Sequence, residues 1–403
     1  MPPARFLRDY WQKRPLLIRG AFADFRNPVE PDDLAGLACE ELALSRIVVE
    51  ERNGKRQTEA RARGRDGGHP DAGESRWVLH TGPFAEGDFA RLPPTHWTLL
   101  VQDVDKWDAD VAALLPVFSF LPGWRVDDVM ISYAEDGGSV GAHVDQYDVF
   151  LLQGLGRRRW QIDTNPDAPK AFRGDTELKL LSAFAPSHEW VLEPGDMLYL
   201  PPGVPHHGVA IGPCMTYSVG MRAPSQAELL VDFAETLAET LPEEARLSDP
   251  DLTPARGDGE IDEAAIERVA RAMPWFDWNR KDTGLDDRLR AWFGRFITRY
   301  RSAQAAAPNP RPLTDAAFAR AVERNAPVGR NPWSRCAWMR DGRGARLFAS
   351  GDEHACSVAL ARLVCSQPGF GLGDVPASAA DRATVRALVD AGHLALMRGG
   401  GRA

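Results

Sequence analysis

Hydrophobic and polar positions change their period twice along this 403-residue chain. Near the start, FLRDYWQKRPLLIR (residues 6–19) predicts a helix that runs into an extended segment at Leu16, Leu17 and Ile18. Between 96 and 223, short apolar runs alternate with Gly, Pro and Asn clusters. They predict strands over 98–102, 128–133, 145–153, 158–162, 190–192, 197–200 and 215–221. Such spacing points to an all-β sandwich or barrel, and a cupin-type jelly roll accommodates the long insertion over 165–187. Beyond Ser225 the period becomes helical. Residues 227–241 set Leu229, Leu230, Phe233, Leu237 and Leu241 on one stripe, stopped by Pro242. Residues 261–272 and 285–300 repeat the theme. These stripes serve either packing within the chain or dimerisation.

AQAAAPNPRP (303–312) is a linker by composition. After it the pattern predicts a helix over 315–324, a hairpin near 345–352, a helix over 379–391 and a last strand over 394–397, the outline of a winged helix. The expected division is an N-terminal extension packed on the core (1–95), a β-rich catalytic domain (96–223), a helical region (224–303) and a winged-helix-like domain (304–403). Residues 52–73, rich in Arg, Gly and Asp, read as an exposed loop.

Composition narrows the class without naming a chemistry. At 44% hydrophobic and 26% charged the chain is ordinary for a soluble protein. No apolar run approaches the roughly 20 residues of a membrane span, and the first ten residues lack a secretion signal; a cytoplasmic protein is expected. The five cysteines (Cys39, Cys214, Cys336, Cys356, Cys365) are scattered without a CxxC pair, so reduced thiols are expected. A net charge of −9 argues against non-specific nucleic-acid binding and suits a basic protein partner.

The chemistry lies in His143-Val144-Asp145. If this is strand, His143 and Asp145 project from one face with Cα atoms roughly 6–7 Å apart. His206, after the turn Pro201-Pro202-Gly203-Val204-Pro205, supplies a third ligand. Two histidines and a carboxylate on one side leave coordination positions open, as a non-haem Fe(II) oxygenase acting on O2 requires. Such an enzyme needs electrons, which 2-oxoglutarate supplies by oxidative decarboxylation. Its distal carboxylate needs a cation, and arginine presents a planar, permanently charged fork. If Trp160 points inward, alternation points Arg158 inward and Arg157 and Arg159 out. Parity also nominates Ser132 and Thr216 for the cosubstrate, and Asp128, Tyr147 and Ser218 for the substrate side; ordinary hydrogen-bonded strand residues are the competing reading for each. His207 faces away from His206. His69, His80, His96, His188, His354 and His393 lack partners at ligand spacing and are expected to be structural.

The chain resembles the bacterial JmjC-type ribosomal oxygenases. The resemblance rests on FLRDYWQKRPLLIR (6–19), DDVMIS (127–132), HVDQYDVF (143–150), GLGRRRW (154–160), EPGD (193–196), PPGVPH (201–206), YSVG (217–220) and WFG (292–294). It implies an α+β protein: a double-stranded β-helix (cupin, JmjC) core, a helical dimerisation region making a homodimer, and a C-terminal winged helix. It implies Fe(II) at His143, Asp145 and His206, 2-oxoglutarate at Arg158, and O2. The implied reaction hydroxylates an arginine β-carbon in a basic substrate, the sixteenth protein of the large ribosomal subunit. Two positions depart from the pattern: His207 stands where an acidic residue is expected, and Thr216 where asparagine is usual. The rival readings are a JmjC histidine hydroxylase, a lysine or arginine demethylase, and a silent cupin whose winged helix binds DNA. The acidic balance and the intact ligand set argue against the last, so no direct DNA binding is expected.

Overall fold

Two long strands, β7 (Val149–Ile162) and β10 (Pro205–Met221), organise the first half of the chain and pair with each other from His206↔Ile162 to Gly220↔Val149. This computed structural model describes residues 1–52, 75–250, 263–272 and 285–397, and the chain divides between Ala223 and Pro224 into two units. Both long strands change partners midway. β7 pairs first with β9 (Met197–Leu200) and then with β8 (His188–Leu192). β10 pairs with β6 (His143–Val144) at its start and with β5 (Val126–Ala134) at its end. Exchanging partners along a strand is what turns one sheet into facing layers.

The changeover on β7 lies at Gly154-Leu155-Gly156, where the register with β10 slips between Ile211 and Met215. Gly156 adopts φ +61°, and a Cβ there would collide with the Pro213 carbonyl, so only glycine makes this bulge without strain. The extra residue reverses side-chain parity. Val149 and Leu151 before the bulge share a buried cluster with Trp160 and Ile162 after it, together with Leu192, Leu198 and Leu200. The two strands expected over 145–153 and 158–162 are therefore one strand, and it starts only at Val149.

Among the described residues three strands precede residue 96. β1 (Leu16–Ile18) pairs with β9; β2 (Ser45–Arg52) and β3 (Ser75–Thr81) extend the sheet through β4 (Trp97–Val101), which pairs with β5. The N-terminal segment thus contributes strands to the sheet as well as packing on it. Its first helix, Pro3–Asp9, uses Pro3 at the first turn and buries Phe6. The Phe6 ring lies 4.9 Å from Tyr199 and 5.7 Å from Phe150. Burying such a ring contributes about 1.5–3 kcal/mol, so Phe6→Ala should undock the helix. Of the loop expected over 52–73 all but Arg52 lies outside the described residues, as do His69 and the first two residues of the helix expected over 261–272.

In the second unit, helix Gln226–Ala238 is opened by a capping box in which Ser225 and Glu228 satisfy each other's backbone N–H. Trp292 and Gly294, on helix Leu285–Arg299, meet two neighbours. The Trp292 indole donates to Asp232 at 2.8 Å, and Gly294 leaves room for the Phe348 ring. Phe348 belongs to a three-stranded sheet of Cys336–Asp341, Gly344–Ala349 and Asp352–Cys356. Elements on either side of the boundary expected at 303/304 are therefore packed together. Helices Asp315–Glu323, Val358–Ser366 and Ala379–Asp390 close the core around Leu347, Leu360, Val364 and Leu388. Among the described residues no helix is long and apolar enough to cross a membrane.

Candidate metal centre and its surroundings

The two-residue strand β6 pairs with the start of β10 so that His143 stands opposite His206, with ring centroids 4.2 Å apart. Each imidazole is tethered from behind. His143 Nδ1 lies 2.9 Å from the Gly141 carbonyl and His206 Nδ1 lies 3.0 Å from the Val204 carbonyl. A carbonyl only accepts, so both Nδ1 atoms carry hydrogen and both Nε2 lone pairs are free to face a ligand. Burial, and then the neighbouring His143, hold the His206 pKa well below the histidine range, which keeps this ring neutral.

Asp145 lies beyond β6, in the turn leading to β7. Its oxygens are 3.9 Å from His143 Nε2 and 3.6 Å from His206 Nε2. The expectation that strand alternation aims His143 and Asp145 together is corrected here. A turn aims Asp145, anchored where the Gly203 N–H donates to the Asp145 carbonyl at 2.8 Å. The three ligand atoms lie within 4.8 Å of one another, the one such grouping among the described residues. Two imidazole nitrogens and a carboxylate on one side suit a divalent metal with open positions.

Arg158 is 2% exposed, while Arg157 is exposed and Arg159 half-buried. Among the described residues its guanidinium meets the Gly208 carbonyl at 3.2 Å, Ser132 Oγ at 3.5 Å and the Cys214 thiol. Arg158 Nε has no hydrogen-bond partner, and among the described residues no carboxylate pairs with the group. Burial pushes its pKa down, the mark of a cation held out of water without an anion. Arg158 lies over the Trp160 ring at 5.3 Å, and Trp160 lies 5.9 Å from His206. A line of three side chains thus joins the cation to the histidines. Gly208 makes room for it, since a Cβ there would fall 2.7 Å from both Arg158 Nε and the Trp160 ring. Arg158 therefore offers a carboxylate a waiting partner on the histidine-bearing face of the strands, which fits 2-oxoglutarate.

Ser132 and Thr216 face each other across β5 and β10, and Ser132 Oγ approaches the Thr216 carbonyl at 3.5 Å. Thr216 donates to Gln153 Oε1 at 3.1 Å, and Gln153 Nε2 donates to the Leu155 carbonyl of the bulge at 2.8 Å. Ser218 is buried one step further along β10, opposite Met130. Asp128, near the start of β5, accepts from the Asp103 N–H at 3.1 Å. Part of Asp128 reaches the surface. Burial of its carboxyl nevertheless raises its pKa to about 7, helped by Asp103 and Asp127. Tyr147 is 39% exposed and feels the charges of both Asp145 and Asp128. His207 lies on the other face of β10, where its ring meets Phe184 edge-on at 6.1 Å. Sequence reading used Trp160 only to orient Arg158, and it passed over Gln153, Gly208 and Cys214, whose thiol lies beside Arg158. Of these only Gly208 carries a local signal, a glycine inside a strand where another group comes close.

A jelly roll with such a triad and such a buried arginine defines a JmjC oxygenase of the 2-oxoglutarate-dependent class. Residues 113–229 match the JmjC domain family, and residues 278–395 match the ROXA-like winged helix. The chain is 37% identical over 303 residues to the ribosomal protein uL16 3-hydroxylase of Escherichia coli K12, covering 75% of this chain and 73% of that one. A probable ribosomal oxygenase of Haemophilus influenzae is 36% identical over 62% of this chain and 56% of its own. The solved structure of the Escherichia coli ribosomal oxygenase YcfD with cobalt and 2-oxoglutarate is 32% identical, with a TM-score of 0.75 over 98% of both chains. This chain belongs to the JmjC ribosomal oxygenases.

Proposed function

We propose that this protein hydroxylates an arginine β-carbon of ribosomal protein uL16, with Fe(II) held by His143, Asp145 and His206. The observation that carries the reading is the convergence of three ligand atoms within 4.8 Å in a chain 37% identical to a uL16 3-hydroxylase. Bound iron, with 2-oxoglutarate and O2, supplies an oxidant able to hydroxylate an unactivated C–H bond. The side chains hold and orient. Arg158 binds the distal carboxylate of 2-oxoglutarate, and Ser132 and Thr216 line the same wall. Asp128 receives the substrate guanidinium, Tyr147 packs over it, and Ser218 lies beside the substrate. The protein's task is to place one C–H bond near the metal and keep others away.

The domain roles follow the same reading. The N-terminal segment to residue 95 supports the catalytic domain to 223, and the helices after it form a homodimer. Leu230 and Ile266, 65% and 52% exposed on helices Gln226–Ala238 and Glu263–Ala272, give that interface an apolar face. A winged helix follows these helices, and the enzyme works in the cytoplasm, where its ribosomal substrate is made. The deciding experiment incubates uL16 with this protein, Fe(II) and 2-oxoglutarate and reads the product by mass spectrometry. One added oxygen on an arginine is expected. A modified histidine, or formaldehyde release from a methylated substrate, would replace the substrate assignment, and no modification of uL16 would end it.

A further inference from the structure

We infer that Asp148 is a positioning residue for this site: it pins the turn 145–148 so that Asp145 and Tyr147 face the reacting centre. Asp148 is fully buried, and nothing in the chemistry above uses it. Its carboxylate receives three donors: the Tyr199 hydroxyl at 2.6 Å, Gln12 Nε2 at 2.9 Å and Arg125 Nη2 at 3.1 Å. The Tyr199 hydroxyl in turn accepts from the Gln12 N–H at 2.8 Å. Gln12 sits in a left-handed conformation, φ 55°, directly after Trp11. The Trp11 ring stacks on Tyr199 at 5.9 Å and lies 5.4 Å from the Arg125 guanidinium. The Asp148 backbone is tied as well, its carbonyl accepting from the Met221 N–H at 3.0 Å.

The turn therefore has two fixed points. One is the Asp145 carbonyl, held by Gly203, and the other is the Asp148 side chain. Three residues of chain span at most about 10 Å, so a displacement at Asp148 passes to the Asp145 carboxylate with little slack. This gives the N-terminal Tyr10-Trp11-Gln12 stretch a place in the site although it comes near none of the ligands. Groups that orient metal ligands affect metal affinity by about 10–100-fold.

The inference rests on the metal reading and is tested on the full chain by titrating cobalt into wild type, Tyr199→Phe and Asp148→Asn at a temperature where circular dichroism shows each folded. Tyr199→Phe keeps the stacked ring and removes one donor to Asp148. Tyr217→Phe is the control: an equally buried tyrosine whose hydroxyl donates to Asn27 at 2.8 Å, away from the turn. Cobalt dissociation constants about tenfold higher in Tyr199→Phe and Asp148→Asn, with Tyr217→Phe unchanged, are expected. Unchanged affinity in Tyr199→Phe, or an equal loss in Tyr217→Phe, overturns the positioning role. Should Asp148→Asn not fold, Tyr199→Phe decides alone. A wild-type chain that binds no cobalt would sink the metal reading itself.

Discussion

Arg158 and Asp148 are both buried charges on or beside β7, 2% and 0% exposed, yet their surroundings are opposites. Asp148 is answered by a tyrosine hydroxyl, a glutamine amide and the Arg125 guanidinium. Arg158 is answered by a carbonyl, a serine hydroxyl and the Cys214 thiol, with its Nε left over. A buried charge is costly unless paired, so the first arrangement is architecture and the second is an invitation. The same unit contains a charge that has spent its interactions on the fold and one that keeps them for a ligand.

Four outcomes would sharpen or break that contrast. The largest concerns affinity: Arg158→Met should weaken 2-oxoglutarate binding to the cobalt-loaded protein by about 10–100-fold, the worth of a hydrogen-bonded charge. Calorimetry reads this directly, and affinity within a factor of two of wild type would remove Arg158 from the cosubstrate site. Next comes the sign of the stability change. Without ligand, Arg158→Met should raise the denaturation free energy by about 1–4 kcal/mol, because an unpaired buried cation is replaced by apolar volume. Asp148→Ala should lower it by roughly 3 kcal/mol, because Arg125 loses its partner. Equal destabilisation in urea melts would erase the distinction between the two charges.

A third outcome turns on pH. Asp128 has its pKa raised to about 7, so in the folded protein its carboxyl gains charge only as pH climbs past that value. The Michaelis constant for an arginine substrate should fall about tenfold between pH 6 and 8, and Asp128→Asn should flatten that change. The stability consequence has the opposite sense. A folded pKa above the unfolded one gives a contribution present below about pH 4 and lost as pH rises to about 7. A substrate profile that ignores Asp128→Asn would take the guanidinium elsewhere. The smallest effect is expected at Gly208. Its alanine variant crowds Arg158 and Trp160 at 2.7 Å and should cost a few-fold in 2-oxoglutarate affinity while leaving cobalt binding alone.

Legibility in the sequence followed distance along the chain. His143 and Asp145 are two residues apart, and the inward turn of Arg158 could be read from Trp160 because both lie on the same side of the bulge. The first half of β10 was hidden by Pro205, Gly208, Gly212 and Pro213, each a breaker by composition. β2 and β3 were missed because they lie on either side of the Arg-, Gly- and Asp-rich run, too far apart in sequence to show a hairpin signal. Gln153 was invisible as a neighbour of Thr216, since simple alternation runs through the bulge at Gly156 with the wrong parity. The bond from Gln12 to Asp148 joins positions 136 residues apart and has no local trace.

From the sequence alone came the donor types: two imidazoles and a carboxylate that leave a metal open-sided, an arginine for a carboxylate, and strands giving way to helices. These follow from residue chemistry and short spacing, which need no partner to be visible. Tertiary structure alone decided which ring nitrogens face inward, that a turn and not a strand aims Asp145, and that Arg158 meets no carboxylate among the described residues while Asp148 has three donors. Tautomer, desolvation and pairing depend on which groups packing brings within about 3 Å and which it screens from water. No period along the chain encodes that.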